Sequence, residues 1–275
     1  MKQSGGGRTV LGYRDHYIVD GGKARIILSA LVAPASIMDN TPMLDMVNWT
    51  CSRWQLSPTT VTADARYGTA PNIAGLEEAG IKAFVPIPDN SKRTKYYHSD
   101  LFLYNAEDDH YVCPQGEILK LYTRRNSEQV FVYRANAQVC NACAVKHRCT
   151  KSKSGRHIFR SFFLEYIERV KGYHETEEYK KSMRKRGVWV EPLFGEAKQF
   201  HRLSRFRLRR LKKVNIEGMM VAAGQNLKRL LKFGANNLFE PLIFGISKIE
   251  NVLLHLFDGP RLKSRLISLN SFSTG

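Results

Sequence analysis

The sequence has few acidic residues and no long uninterrupted apolar run. Asp and Glu together number 25 against 43 Lys and Arg, which gives a formal net charge of +18 and a pI near 9.8. A compact fold with this excess repels itself unless a polyanion neutralises it, so the balance favours nucleic acid or an anionic membrane as a partner. A solvated basic surface that only maintains solubility is the alternative.

The apolar segments do not support a membrane partner. The most apolar stretch, residues 238–257, contains three charged residues and a histidine and is too polar to span a bilayer. No apolar run that could serve as a signal peptide follows residues 1–8. We therefore expect a cytoplasmic protein whose five cysteines are reduced, as metal ligands or core residues.

The first third of the chain alternates strand and helix patterns. A composition of 43% hydrophobic and 11% aromatic residues indicates a packed globular protein. The expected elements are a hairpin of strands at 13–20 and 24–32 around Gly21 and Gly22, a helix at 39–49, a strand at 59–64, a helix at 72–79 and a strand at 83–87. This alternation predicts an α/β layer architecture.

The pattern of residue types along the sequence changes after Pro88. Residues 88–160 contain polar turns, short aromatic strands and four of the five cysteines, and we expect an inserted Cys-rich module there. Helices are predicted at 162–185, again after 190, and at 215–233, whereas the Ser-rich end at 261–275 is expected to be frayed. The predicted segments are 1–87 and 161–235 for the two parts of the α/β core, 88–160 for the insertion and 236–275 for a helical, basic tail.

Asp64 is the first candidate catalytic residue. It ends the strand predicted at 59–64, and Gly68 and Thr69 then open a turn into a helix. Carboxylates at the carboxyl ends of strands in open α/β sheets face the ligand crevice. The alternative interpretation is that Asp64 only caps the turn.

Glu191 is the second candidate. It lies near the predicted start of a helix, with Pro192 in the first turn, where a missing N–H is tolerated. Lys198 follows seven residues later and is expected on the same helix face. The two side chains could form an ordinary surface pair. Their neighbours Trp189 and Leu193 instead indicate a half-buried helix, in which a carboxylate needs a partner or a metal.

These segments together resemble a known family. Gly12-Tyr13 leading into an Asp-ended strand, Asp64 followed by Tyr67-Gly68, and the later motif Val-Glu-Pro-x-Phe-Gly-x-x-Lys at 190–198 occur in the order found in insertion-sequence transposases of the DDE class, closest to the IS1182-like group. The resemblance extends from Gly12 to about Leu231. Arg186 departs from it, because four residues separate it from Glu191 where the family has three.

The resemblance implies an RNase H-like core. In this family an Asp, a second Asp and a Glu hold two divalent ions, Mg²⁺ or Mn²⁺, for cleavage and transfer of DNA strands. Asp64 and Glu191 would be metal ligands, and Lys198 and Arg186 would contact the scissile phosphate. The implied partners are transposon ends and target DNA, with a second copy or a full-length transposase as a candidate oligomeric partner.

The first Asp of this set is not found. It should lie on a strand before the hairpin, and we expect an N-terminally truncated copy whose core lacks that strand. Asp20 ends a strand antiparallel to the missing one, and Asp39 is expected to cap a helix; either would be the replacement if the chain were a nuclease completed by another acid. A non-catalytic DNA-binding remnant is the remaining alternative.

Two further groups of residues suggest ligands. A C-x-x-C motif and two more thiols in a turn-rich segment meet the needs of a structural zinc site, with His147 as an alternate ligand and reduced structural thiols as the alternative; the four are Cys113, Cys140, Cys143 and Cys149. Cys51 is expected in the core. A crowded basic segment predicts contacts to the DNA backbone; its residues are Arg202, Arg205, Arg207, Arg209, Arg210, Lys212 and Lys213.

Overall fold

The computed structural model describes residues 2–3, 9–10, 12–88, 94–238 and 267–274. The chain divides into two compact units: Met1–Pro86 with Glu168–Gly275 form the first, and Ile87–Ile167 form the second. Strands and helices are mixed in the first unit, as the sequence predicts for its fold class. The second unit includes residues 88–160 and extends to Ile167, and its origin as an insertion stays a prediction.

The first unit contains a five-stranded sheet with helices packed against it. Its elements are β1 (Lys2–Gln3), β2 (Thr9–Val10), β3 (Tyr13–Asp20), β4 (Ile27–Pro34), α1 (Met43–Trp54), β5 (Thr60–Ala63), α2 (Ala70–Glu78), β6 (Lys82–Phe84), α6 (Glu177–Phe200), α7 (Leu211–Leu238) and β12 (Ile267–Thr274). The large sheet has the order β4-β3-β12-β5-β6, and β1 and β2 form a separate pair.

Strand β12 occupies the centre of this sheet. It runs antiparallel to β3, pairing Ile267 with Asp20 and Thr274 with Tyr13. On its other side it runs parallel to β5, where Leu269 pairs with Ala63. The missing first strand was expected to run antiparallel to β3, and β12 has that direction.

The expectations of a frayed end at 261–275 and of a helical tail at 236–275 are therefore wrong at residues 267–274, whereas 236–238 are helical as the end of α7. Residues 267–274 are neither frayed nor helical, while 239–266 lie outside the described residues. The Ser-rich composition gives little strand propensity of its own. Propensity for β structure depends strongly on context, and pairing with a strand on each side supplies the backbone partners that the composition does not reveal.

Helices α6 and α7 cover one face of the sheet. Tyr17 of β3 stacks on Phe194 of α6, with ring centroids 4.6 Å apart. Both rings belong to a buried cluster that also includes Val190 and Leu193 of α6 and Ala222 of α7. The apolar stripe of α6 therefore fixes which of its residues remain available to solvent.

Two asparagines of α7 bind the backbone of the edge strand β4. Asn215 accepts a hydrogen bond from the Val32 N–H and donates one to the Val32 carbonyl, both at 2.8 Å. Asn226 makes the same pair of bonds with Ile27, again at 2.8 Å. The spacings match, because three helical turns and five strand residues each span roughly 16 Å. The side-chain amides thus take the place of a neighbouring strand along β4.

Helix α6 runs without a break through Pro192. The expectation that a helix starts near Glu191, with Pro192 in its first turn, is therefore wrong. An interior proline leaves the carbonyl four residues earlier without its helical donor. That carbonyl belongs to Val188, and the guanidinium of Arg25 donates to it at 3.5 Å.

The second unit is built on an antiparallel sheet with the order β11-β10-β9-β8-β7. Its elements are β7 (Leu103–Asn105), β8 (His110–Val112), β9 (Ile118–Arg125), β10 (Val130–Ala135), α3 (Ala137–Ala142), α4 (Lys146–Cys149) and β11 (His157–Ser161); helix α5 (Leu164–Tyr173) begins in this unit and ends in the first. Tyr111, Leu119 and Tyr133 lie at its core, and Cys113, Cys140 and Cys149 pack against them.

Candidate active site and nucleic-acid interface

Asp64 directly follows β5 and precedes a short 3-10 helix at Ala65–Tyr67. Its side chain is half-buried and makes no capping hydrogen bond to this turn. The interpretation of Asp64 as a turn cap is therefore wrong. Because β3 and β5 run in opposite directions, Asp20 at the end of β3 is level with Val61, three residues before Asp64 along β5.

Asp20 and Asp39 have structural partners of their own. The Asp20 carboxylate accepts a 2.7 Å hydrogen bond from the Ile26 N–H and closes the β3–β4 hairpin. Asp39 is 6% exposed and forms ion pairs with Arg14 at 2.8 Å and Arg66 at 3.0 Å. The predicted capping role of Asp39 is wrong, since the residue before α1 is Pro42. The Asp39 carboxylate pairs with two arginines that are distant from it in sequence, and it does not cap the helix.

Glu191 lies on the exposed side of α6. Its side chain is 63% exposed and forms an ion pair with Arg186, with the nitrogen and oxygen 3.8 Å apart. The helix is half-buried, as the sequence predicts, because Leu193 and Phe194 turn toward the core while Glu191 lies on its open side. Lys198 is also exposed.

The carboxylates do not form a metal site as they are placed. Within the described residues, no group of three or more His, Cys, Asp or Glu side chains is arranged to hold a metal ion. Helix α6 contacts both β5 and β12, which brings the Glu191 helix against the strand that Asp64 follows. The structure thus joins the two elements without assembling a complete set of ligands.

A carboxylate on α6 that the sequence did not single out has stronger partners than Glu191. Glu196 forms ion pairs with Arg229 at 2.6 Å and Lys228 at 2.9 Å. Burial opposes ionisation of Glu196, but these two cations on α7 outweigh it and lower its pKa to about 2. Glu196 therefore stays charged and ties α6 to α7. Its position one turn after Pro192 gave no sign of this role.

The basic segment forms an exposed loop and the start of α7. All seven predicted DNA-contacting residues, from Arg202 to Lys213, are exposed. The loop has inward anchors: Leu203 is fully buried, and Phe206 packs against the small core cluster that contains it. Two of its residues, Arg202 and Arg210, have left-handed backbone conformations with φ of 57° and 71°. Such values are uncommon for residues other than glycine, so tertiary contacts hold this loop shape.

Glu217 supplies one of these contacts. It is 7% exposed and lies on α7 beneath the loop. Its carboxylate accepts hydrogen bonds from the Arg207 N–H at 3.0 Å and the Leu208 N–H at 2.9 Å. The Nε of Arg207 lies 3.5 Å from the same carboxylate. The sequence analysis did not single out Glu217, although the sequence shows that it is an acid surrounded by many basic residues.

The geometry so far combines two acids on neighbouring elements with a fixed basic loop. Residues 112–231 match a transposase DDE domain. The match includes Glu191, the basic loop and four cysteines, and it ends before β12. Neither the curated proteins nor the solved structures contain a match to this chain. The DDE domain implies DNA as a partner, and the helices of the described residues are all too short or too polar to cross a membrane.

Proposed function

We propose that this chain is a transposase polypeptide of the DDE class, related to the IS1182-like group, with an RNase H-like core. It binds transposon and target DNA and contributes Asp64 and Glu191 to cleavage and transfer of DNA strands. The observation that carries the proposal is the match of residues 112–231 to a transposase DDE domain. The exposed basic loop within that range agrees with it, since phosphate contacts dominate affinity for DNA.

The residues have distinct parts in this proposal. Arg202, Arg205, Arg207, Arg209, Arg210, Lys212 and Lys213 hold the DNA backbone, and Lys198 and Arg186 contribute positive charge near the phosphate to be cleaved. Mg²⁺ or Mn²⁺ would supply the chemistry of such an enzyme. The described carboxylates do not fit that requirement as placed, because no three donors converge and Glu191 is paired with Arg186.

The second candidate function follows from that disagreement. A DNA-binding transposase remnant without catalytic activity needs the basic loop and not the acids. It would occupy DNA ends that a complete transposase, or a second copy of the chain, would otherwise use.

One experiment separates the two functions. Supercoiled plasmid and a short duplex are incubated with the full chain and Mg²⁺ or Mn²⁺, and nicking and duplex binding are measured in parallel. The variants are Asp64→Asn and Glu191→Gln, with Asp45→Asn, an exposed acid of α1, as the matched control. A catalytic chain nicks DNA, loses nicking in both site variants and keeps binding in all three. Binding without nicking supports the remnant, and absence of binding contradicts both functions.

Salt dependence tests the DNA-contacting residues. Replacing Arg205 or Arg209 by Ala should lower affinity for unrelated duplexes equally and make the slope of log K against log [salt] shallower by about 1, because one phosphate contact is lost. Lys23→Ala, an exposed cation of the β3–β4 hairpin, is the control for a general change in charge. Equal slopes for all three variants would show that the loop does not contact the backbone.

A further inference from the structure

Four cysteines of the second unit border one cavity. Cys113 follows β8, Cys140 lies within α3, Cys143 is the residue after α3, and Cys149 ends α4. All four line a cavity of about 530 Å³. They are free thiols, and three separate chain segments bring them to this place.

The segment at Cys113 is shaped to support a negatively charged sulfur. The backbone N–H groups of Gln115 and Glu117 both point at Cys113 Sγ, with nitrogen–sulfur distances of 3.3 Å. The turn closes through a 2.8 Å bond from the Cys113 N–H to the Glu117 carbonyl. It needs Gly116, whose φ is +82°, a conformation that side chains with a Cβ rarely adopt. Hydrogen bonds to the charged form of a group favour that form.

The other three thiols lie on two short helices, α3 and α4, and at the turn between them. Asn136 caps α3 by accepting a 2.9 Å hydrogen bond from the Gln138 N–H. The chain then turns at Cys143, whose N–H donates to the Cys140 carbonyl at 3.4 Å. The Lys146 N–H donates to the Cys143 carbonyl at 3.0 Å and starts the helix that ends at Cys149. The C-x-x-C spacing thus places Cys140 and Cys143 on one turn of the chain, and both line the cavity.

The thiols are gathered at one side of the core of the second unit. Cys113, Cys140 and Cys149 pack against the same buried cluster, and Cys143 lines the cavity with them. Apolar packing alone gives little reason to bring four cysteine side chains together in one place. Within the described residues no group of three or more His, Cys, Asp or Glu side chains is arranged to hold a metal ion, so the four thiols share a cavity without forming a metal site as they are placed. His147, the alternate ligand considered from the sequence, does not line the cavity.

We propose that Cys113, Cys140, Cys143 and Cys149 bind one zinc ion that stabilises the second unit. Four thiolates around a single ion form a closed tetrahedral set, which zinc uses in structural sites and which leaves no open position for catalysis. Soft sulfur ligands also exclude Mg²⁺, so this site is separate from any ion held by Asp64 or Glu191.

The test uses the full chain, purified without added chelator and dialysed in metal-free buffer. Elemental analysis should find about one zinc per chain. Cobalt exchanged into the protein should give the intense charge-transfer absorption of a tetrahedral thiolate site. A thiol reagent should label only Cys51 in the native protein and all five cysteines after a strong chelator is added.

Variants assign the ligands. Cys113→Ser and Cys140→Ser should each lose bound zinc, whereas Cys51→Ser on α1 should retain it. Since a ligand variant that fails to fold would also lose metal, the chelator experiment on the unmodified chain stands beside it. Unfolding of the second unit by chelator, reversed by zinc alone, supports the proposal. A dialysed wild-type chain without zinc and with five reactive thiols overturns it, whatever the outcome of the DNA assays.

Discussion

Two adjacent residues of β3, Asp15 and His16, are both buried. Burial favours the neutral form of each side chain, so it raises the pKa of Asp15 and lowers the pKa of His16. Asp15 is 0% exposed. Burial raises its pKa to about 8, and the Tyr17 hydroxyl lowers it only in part. His16 is bonded to the Tyr67 hydroxyl at 2.9 Å. Burial lowers its pKa to about 4 despite the nearby charge of Asp39. Both residues are therefore neutral near pH 7.

Asp15 should make the fold less stable in alkaline solution. Its folded pKa of about 8 lies above the ordinary value of 3.8, so the folded state keeps a proton that the unfolded chain has released. The free energy of unfolding then falls as the pH rises through this window. Asp15→Asn should remove this loss and stabilise the chain by roughly 5 kcal/mol at pH 8, because each tenfold change in acidity corresponds to about 1.4 kcal/mol, with little effect at pH 4. Urea unfolding at both pH values measures it.

His16 acts in the same range with the opposite sign. Its folded pKa of about 4 lies below 6.5, so the unfolded chain takes up a proton first and stability is lost as the pH falls below about 6.5. The Asp15 variant must therefore be compared with wild type at each pH. Asp45→Asn, which changes an exposed acid, should show no such pH-dependent difference. Equal gains at both pH values would mean that Asp15 is not the titrating group.

At the scale of an element, the loop between α6 and α7 depends on Glu217. The carboxylate holds the backbone of Arg207 and Leu208 while the arginine side chains remain exposed. Glu217→Gln removes a negative charge beneath a basic surface. Electrostatics alone would then strengthen DNA binding. Loss of the two charge-assisted hydrogen bonds would instead loosen the loop, at about 1–3 kcal/mol.

We expect the loosening to dominate. Glu217→Gln should weaken duplex binding several-fold and lower the free energy of unfolding, as measured by titration and denaturant unfolding. Glu178→Gln makes the same change of charge at an exposed ion pair with Lys82 and serves as the control. Stronger binding in both variants would show that Glu217 acts only through its charge.

Local patterns account for most of the elements that the sequence predicted. The strand at 13–20 has the predicted bounds, and the helices and strands up to Phe84 lie near their predicted positions, because each carries its own periodicity and turn residues. The prediction of a break in α6 is wrong, because a contact from Arg25 compensates for Pro192. A prediction from local helical periodicity cannot take account of a partner so distant in sequence.

The candidate site was less accessible to prediction than the fold. The placement of Asp64 after a strand follows from local sequence, and the exposure of the basic segment follows from its charge density. The ion pairs of Asp39, the burial of Glu217 and the pairing of Glu196 with α7 all depend on residues brought together by folding. A single sequence shows the residue types at these positions and not their partners.

For the whole molecule, the first unit depends on a central strand that lies far from its neighbours in sequence. Leu269→Pro removes an N–H from a strand paired on both sides, which proline cannot occupy without losing a ladder bond. We expect a loss of about 3 kcal/mol or more in the stability of the first unit. Leu269→Ala keeps the N–H and is the control. Amide hydrogen exchange of β3 and β5 should increase in the proline variant and not in the control.

The central position of β12 also sets an order of events during folding. Its partner strands β3 and β5 come early in the chain, and the whole second unit and two long helices separate them from Ile267. Contacts of such high sequence separation form late and slow the overall rate. Until they form, β3 and β5 each present an unpaired edge to other chains, which favours intermolecular pairing. Refolding yield should therefore fall with protein concentration.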